Sequence, residues 1–193
     1  MVSAIAPPTR ISPTEYLEQE INSELRHEYR HGEMIVMTGG TPNHNDISGN
    51  LYIALKLALK GKEYRTFHVD QRLAIPDQNI YTYPDVMVLK KPIALLSGRT
   101  DTVLNPCLIA EVLSNSTQDY DHGAKFAAYR TIAEFQEYLL IDQYQVRVEH
   151  YLKTNVNQWL LSEYTDAAVV LELRSIGCSL QITDLYEGIE FDA

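Results

Sequence analysis

Several common chemistries are ruled out by what this chain has little of. It holds only two cysteines, Cys107 and Cys178, with no CxxC or zinc-type spacing. A disulfide framework or a thiolate metal site is therefore not expected, and a reduced, cytoplasmic setting fits. Cys107 opens an apolar segment and reads as a buried small hydrophobe. No apolar run approaches the roughly 20 residues of a membrane-spanning helix. Met1 to Arg10 shows no basic flank followed by an apolar stretch, so secretion is not expected and Asn115-Ser116-Thr117 is discounted as a glycosylation acceptor. Trp159 is the single tryptophan. There is thus no obvious aromatic platform for sugars, which weakens a two-carboxylate glycosidase. Basic residues are scarce too: 16 Lys and Arg stand against 26 Asp and Glu, a net charge of -10. Nucleic-acid-binding domains usually carry a basic footprint, so tight nonspecific binding to duplex DNA is not expected. The local exception is Lys56, Lys60, Lys62 and Arg65, with Lys90 and Lys91 elsewhere. Its plain reading is helix C-terminal lysines that complement the dipole.

What is present is an ordinary apolar and charged composition over 193 residues, enough for one domain with one sizeable core. No internal repeat, linker or low-complexity segment interrupts it. Ser12-Pro13-Thr14-Glu15 is a capping box that opens a helix to about Glu20. Segments 25–29 and 33–38 flank His31-Gly32 as a hairpin. Ile47, Leu51, Ala54, Leu55, Ala58 and Leu59 recur at helical spacing from His44 to about Lys60, and Gly61 ends that helix. Strands are expected at 64–69, 71–75, 85–89 and 108–113, with a connecting loop, holding at most one helical turn, over 90–106. A helix is expected over 120–131. Strands at 135–141, 145–152, 159–164 and 169–173 follow, and 179–186 closes with a short helix. The class is mixed α/β.

Two carboxylates stand out against this pattern. Asp85, in Tyr83-Pro84-Asp85-Val86-Met87-Val88-Leu89, and Glu111, in Cys107-Leu108-Ile109-Ala110-Glu111-Val112-Leu113, lie in short continuous apolar segments of the kind buried on both sheet faces. An ionised carboxylate there is costly unless a cation compensates it. If the strands are neighbours and the faces coincide, the two acids converge, and repulsion raises one pKa unless Mg²⁺ or Mn²⁺ lies between them. Lys125, in Asp121-His122-Gly123-Ala124-Lys125 on the following helix, supplies a cation able to approach the same phosphate. Acid, acid and lysine are the minimal equipment for metal-assisted phosphodiester hydrolysis. Lys125 is also placed to pair with Asp121 at i,i+4.

The runs Pro84 to Val88, Leu108 to Thr117 and Asp121 to Tyr129 together resemble the Uma-two family of bacterial "putative restriction endonucleases". Arg26-His27-Glu28-Tyr29-Arg30-His31-Gly32-Glu33, Thr41-Pro42-Asn43-His44 and Glu137 to Asp142 match the same pattern, so the resemblance covers about residues 12–160. That family belongs to the PD-(D/E)XK nuclease superfamily. The resemblance implies a single restriction-endonuclease-like domain over 1–193, with a mixed central sheet flanked by helices, an N-terminal hairpin and a β-rich C-terminal part. It implies a Mg²⁺-dependent endonuclease acting on DNA, Mn²⁺ serving as a substitute, with Asp85 and Glu111 as metal ligands and Lys125 completing the catalytic set. Glu28 and Glu33 are candidate supporting or second-metal carboxylates, and His44 a capping or orienting imidazole. One departure from the simplest superfamily pattern is that the position two after Glu111 is Leu113 rather than lysine, so Lys125 stands in for it from the helix. Cutting both strands commonly takes two active sites, which makes a homodimer the expectation. The competing reading is a noncatalytic binding protein that keeps the nuclease fold, a reading the acidic surface favours. Asp142, at a strand end, reads as a turn residue.

Overall fold

The computed structural model describes residues 10–191. Met1 to Arg10, read above for a leader, lies outside them except for Arg10. The capping box forms as its spacing dictates. Glu15 N–H donates to Ser12 Oγ at 3.2 Å and Ser12 N–H donates back to Glu15 Oε2 at 2.7 Å, starting α1 (Pro13–Ile21). The hairpin β1 (His27–Arg30) and β2 (Glu33–Val36) turns through His31 and Gly32 at φ 51° and 103°. Both are left-handed values, which suit a tight hairpin turn. A Cβ on Gly32 would also meet Arg10 Cβ at 3.0 Å. The next helix, α2 (Pro42–Ala58), begins two residues ahead of the expected His44. Thr41 caps it by accepting from His44 N–H at 3.1 Å. Pro42 follows the cap, where no N–H donor is needed.

The expected strands appear as β3 (Tyr64–His68), β4 (Arg72–Ile75), β6 (Val86–Lys90), β8 (Pro106–Leu113), β9 (Glu137–Asp142), β10 (Val148–Asn155), β11 (Gln158–Tyr164) and β12 (Val170–Leu173). Outside the closing segment two strands were not expected, β5 (Ile80–Thr82) and β7 (Thr102–Val103). Each is too short to show an alternation. β7 falls in the interval read as a loop. The closing segment divides into β13 (Cys178–Gln181) and the short α5 (Ile182–Leu185). The helix expected over 120–131 runs as α3 (Gln118–Tyr120), a π turn (Asp121–Lys125) and α4 (Phe126–Tyr129).

A six-stranded sheet in the order β11-β10-β9-β8-β6-β3 forms the centre. Its β8–β9 pair is parallel and the rest antiparallel, so the sheet is mixed. The parallel pair needs a crossover, and the helix over 118–129 supplies it. On one face Ile47, Leu51 and Leu55 of α2 pack on Val86, Val88 and Ala110, beside α5 and the β12–β13 hairpin. On the other, Phe126 and Tyr129 pack on Ile109 and Leu140. Leu73 and Ile75, from a second sheet of order β2-β1-β5-β4-β7, join that core. Among the described residues no helix is long and apolar enough to cross a membrane.

One buried acid fastens the C-terminal hairpin. Glu137, at the start of β9 and 0% exposed, accepts from Arg174 N–H at 2.8 Å, Ser175 N–H at 3.2 Å and Ser175 Oγ, and meets His150 Nε2 at 3.2 Å. Glu137→Ala leaves those groups buried without a partner and is expected to lose about 3–5 kcal/mol of stability, read by urea denaturation. A loss below about 1 kcal/mol would mean that the hairpin does not depend on it.

Candidate active site

β6 and β8 are antiparallel neighbours with Val86 opposite Ala110, so one step outward Asp85 faces Glu111. Asp85 itself sits just before the strand begins at Val86. Its N–H donates to Glu111 Oε2 at 3.4 Å, and its Oδ2 accepts from Val112 N–H at 2.8 Å. The two acids therefore meet at one end of the central sheet, as period-two alternation on adjacent strands requires.

The crossover helix brings the cation. Asp121, Lys125 and Tyr129 recur every four residues and so share one helix face. Lys125 Nζ lies 2.9 Å from Glu111 Oε1, 3.2 Å from Asp121 Oδ1 and 3.9 Å from Glu28 Oε1. Tyr129 Oη donates to the same Glu111 Oε1 at 2.7 Å. The π turn holds Asp121 and Lys125 at its two ends; such turns occur frequently at functional sites.

A cavity of about 400 Å³ opens above these groups, walled by the Thr38–Thr41 loop and the Ser114–Thr117 turn. Gln143 ties the two walls together. It is buried, accepts from Thr41 Oγ1 and donates to Leu113 O at 2.6 Å. Gly40 passes so near His44 that a Cβ would lie 2.7 Å from the ring Nδ1. Close passage of this backbone leaves His44 Nε2 3.2 Å from Asp85 Oδ2.

Charge is unevenly compensated here. Burial, reinforced by the charges of Asp85 and Asp121, pushes the Glu111 carboxyl up to about 8 even though Lys125 opposes it. Burial would also raise Asp85, but the hydrogen bond and charge of His44, the Val112 N–H and Lys125 outweigh it and hold Asp85 low. Glu28 is lowered against its burial by Lys125, Arg30 and Thr82. Burial disfavours the ammonium of Lys125, yet Glu111, Asp121 and Glu28 hold it well above the ordinary lysine value. His44 is raised because its bond to Asp85 exceeds the burial penalty.

Among the described residues no three His, Cys, Asp or Glu side chains form a ready-made metal cage. Two observations nonetheless fit a hard divalent cation. The groups facing one another are oxygen donors, and Mg²⁺ commonly takes only one or two carboxylates while keeping its waters. The raised Glu111 marks negative charge that Lys125 does not fully offset.

Asp85, Glu111, Lys125, Glu28 and His44 are thus brought together, and all line the cavity. Glu33 is not. It is exposed at the start of the edge strand β2 and lies outside the cavity lining. Asp142 caps a turn, accepting from Tyr144 N–H at 2.8 Å and from Gln145 Nε2 at 2.9 Å. Sequence reasoning missed Tyr129 and Arg30, whose guanidinium pairs with Glu28 and lies 3.5 Å over the Tyr120 ring. The four-residue spacing from Lys125 was the signal for Tyr129. Tyr129→Phe is expected to cost about 1–3 kcal/mol, because Glu111 Oε1 loses a buried donor. Thermal melts that match wild type would remove Tyr129 from the centre's support.

The sequence pattern of one protein family, Uma2, described as "Putative restriction endonuclease", matches residues 13–183. The chain is 43% identical over 153 residues to "Uncharacterized protein sll1609" of Synechocystis sp., a match covering 79% of this chain and 86% of that one. It is 37% identical over 189 residues to "Uncharacterized protein slr1290" of the same organism, covering 98% of each. Its fold is shared with a crystal structure described as a "putative nuclease belonging to DUF820" from Anabaena variabilis, at a TM-score of 0.73 and 20% identity, over 92% of this chain and 98% of that chain.

Proposed function

This chain belongs to the Uma2 family, and from that premise we propose that it is a Mg²⁺-dependent DNA endonuclease of the PD-(D/E)XK kind, with Asp85, Glu111 and Lys125 as its working groups. The observation that carries this reading is the Lys125 ammonium 2.9 Å from Glu111, at the end of the sheet where Asp85 stands opposite Glu111. The reading takes residues 1–193 as one nuclease domain, supported by the central sheet that both large cores share.

Asp85 and Glu111 would hold the cation, which when bound supplies charge neutralisation at the phosphate and a lowered pKa for an attacking water. Asp85 is kept ionised by His44 and the Val112 N–H, so it is ready to serve as a ligand near neutral pH. Glu111 keeps its proton more readily and must release it to become a ligand, while Tyr129 fixes the carboxyl's orientation. Lys125, held charged, has no lone pair with which to accept a proton from water. It therefore acts as a cation, donating to a phosphoryl oxygen and stabilising the charge that develops there. Glu28 keeps Lys125 in place from the second sheet. Two copies in a homodimer would present one such centre to each strand of a duplex.

The test is incubation of purified protein with supercoiled plasmid and with single-stranded oligonucleotide, in Mg²⁺, in Mn²⁺ and in EDTA. Cleavage with either metal and none in EDTA is the expected result. Equal cleavage in EDTA would overturn metal dependence, and no cleavage of any DNA under any condition would favour the binding-protein reading.

A further inference from the structure

The basic residues that the sequence scatters over two segments come together in space. Antiparallel pairing of β3 with β6 sets Tyr64 opposite Lys90 and Arg65 opposite Leu89, and Lys91 N–H donates to Glu63 O at 2.9 Å. Lys90 and Lys91 therefore lie against Lys56, Lys60, Lys62 and Arg65 at the far end of the sheet. All six are exposed. Two cavities of about 610 and 620 Å³ adjoin there, and Arg65 and Lys91 line both.

These six are more than the end of a helix. Among the described residues, Arg26, Arg30, Arg72, Arg99, Lys125 and Arg147 each pair with a carboxylate within 4.0 Å, whereas none of the six does. Their contacts are to neutral groups: Lys62 Nζ donates to Gly177 O at 2.9 Å, and Arg65 lies 4.8 Å over Phe67. Glu63 is the one acid lining either cavity. Of the ten Lys and Arg without a carboxylate partner among the described residues, six thus stand at one end of one sheet, Arg10, Arg130, Lys153 and Arg174 being the other four.

The patch stands at the opposite end of β6 from the candidate centre. Asp85, Met87, Leu89 and Lys91 alternate along β6, and Met87 and Leu89 between the two ends are buried in the core, so a nucleic-acid strand that reaches both ends passes around the surface of the domain. From Asp85 to Lys90 is five strand steps of about 3.3 Å, on the order of 16 Å. Phosphates of one duplex strand recur every ~3.4 Å of axis, so the two sites stand at least about five nucleotides apart.

We infer that Lys56, Lys60, Lys62, Arg65, Lys90 and Lys91 form a phosphodiester-backbone binding site that grips nucleic acid flanking the phosphate held at the acidic centre. This deepens the nuclease reading and rests on it for the placement of the cut. The acidic remainder of the surface repels the backbone elsewhere, so that contact is confined to this patch and the metal-loaded centre.

The test reads binding without cleavage. Affinity for a labelled oligonucleotide, single-stranded and duplex, is measured in EDTA across a salt series. Wild type is compared with a Lys60→Gln, Arg65→Gln, Lys91→Gln variant and with a charge-matched Arg10→Gln, Arg130→Gln, Lys153→Gln control. Loss of three phosphate contacts is expected to flatten the slope of log affinity against log salt by about 2 on single strands and nearer 3 on duplex. A change on one form alone assigns the site to that form. The control should keep the wild-type slope. Equal slopes in patch variant and control, or no binding by wild type, would overturn the proposal. Hydrolysis of bis(p-nitrophenyl) phosphate in Mg²⁺ or Mn²⁺, too small to span both sites, tests the centre separately. The patch variant should keep it, so failure of either site is seen on its own.

Discussion

Lys125→Ala is expected to cut DNA a hundred- to a thousandfold more slowly than wild type while still binding metal, and Asp85→Ala to lose both. One charged contact made in the transition state is worth about 2.7–4 kcal/mol, which sets the first figure. The second follows from removal of a direct ligand. The two variants separate the roles because Lys125 is held charged by Glu111, Asp121 and Glu28, whereas Asp85 is held ionised by His44 and the Val112 N–H. Lys125→Ala also strips the cation from buried acids and is expected to lower stability by about 3–5 kcal/mol. Its turnover is therefore compared at a temperature where circular dichroism shows it folded. A folded Lys125→Ala that cuts as fast as wild type would refute the assignment of the helix lysine.

The second large effect is a pH dependence of stability that metal removes. Burial pushes the folded-state pKa of Glu111 up to about 8, above the ordinary glutamate value of 4.5. Between these values the folded state binds more protons than the unfolded one, so metal-free stability rises as pH falls through this window. His44, also raised, acts in the same direction: its contribution is full below the unfolded value and is lost as pH rises through the folded one. Asp85, Glu28 and Glu137 are lowered, so the stability they supply is present above their unfolded values and is lost as pH falls through the folded ones. The metal-free profile should therefore peak near pH 5, above its value at pH 8 by on the order of a few kcal/mol. Mg²⁺ at a hundred times its Kd should add about 2.7 kcal/mol at pH 8 and less at pH 5, where protons compete for Glu111. Glu111→Gln should flatten the alkaline limb and weaken the Mg²⁺ response. Urea denaturation across pH, in EDTA and in Mg²⁺, measures both. An unchanged limb in Glu111→Gln would place its cause elsewhere.

The acids were legible in the sequence because their cost was. Asp85 and Glu111 interrupt apolar strands, and strand periodicity limits where such side chains can point. Which strands are neighbours is a nonlocal fact, and it comes from the β6–β8 pairing. Glu28 and Glu33 look alike in sequence, one on each side of the same turn. They part company because β1 lies between β2 and β5 and is covered, while β2 is an edge strand. Tyr129 was visible as a helical repeat of Lys125, but a buried tyrosine is ordinarily a core residue. Strands β5 and β7 were too short for any pattern, so the second sheet, and with it the delivery of Glu28, could not be read from the chain. The basic patch was hidden for the same reason. Lys60 and Lys91 are far apart until β3 pairs with β6.

The most direct test of the central claim is a crystal structure of the protein soaked in Mn²⁺, with anomalous scattering recorded at the manganese edge. The account predicts a peak between Asp85 and Glu111, about 2.0–2.6 Å from an oxygen of each, and no peak there in Asp85→Ala. A wild-type map with the cation bound elsewhere, or with Lys125 still closing the space between the acids at saturating Mn²⁺, would contradict it.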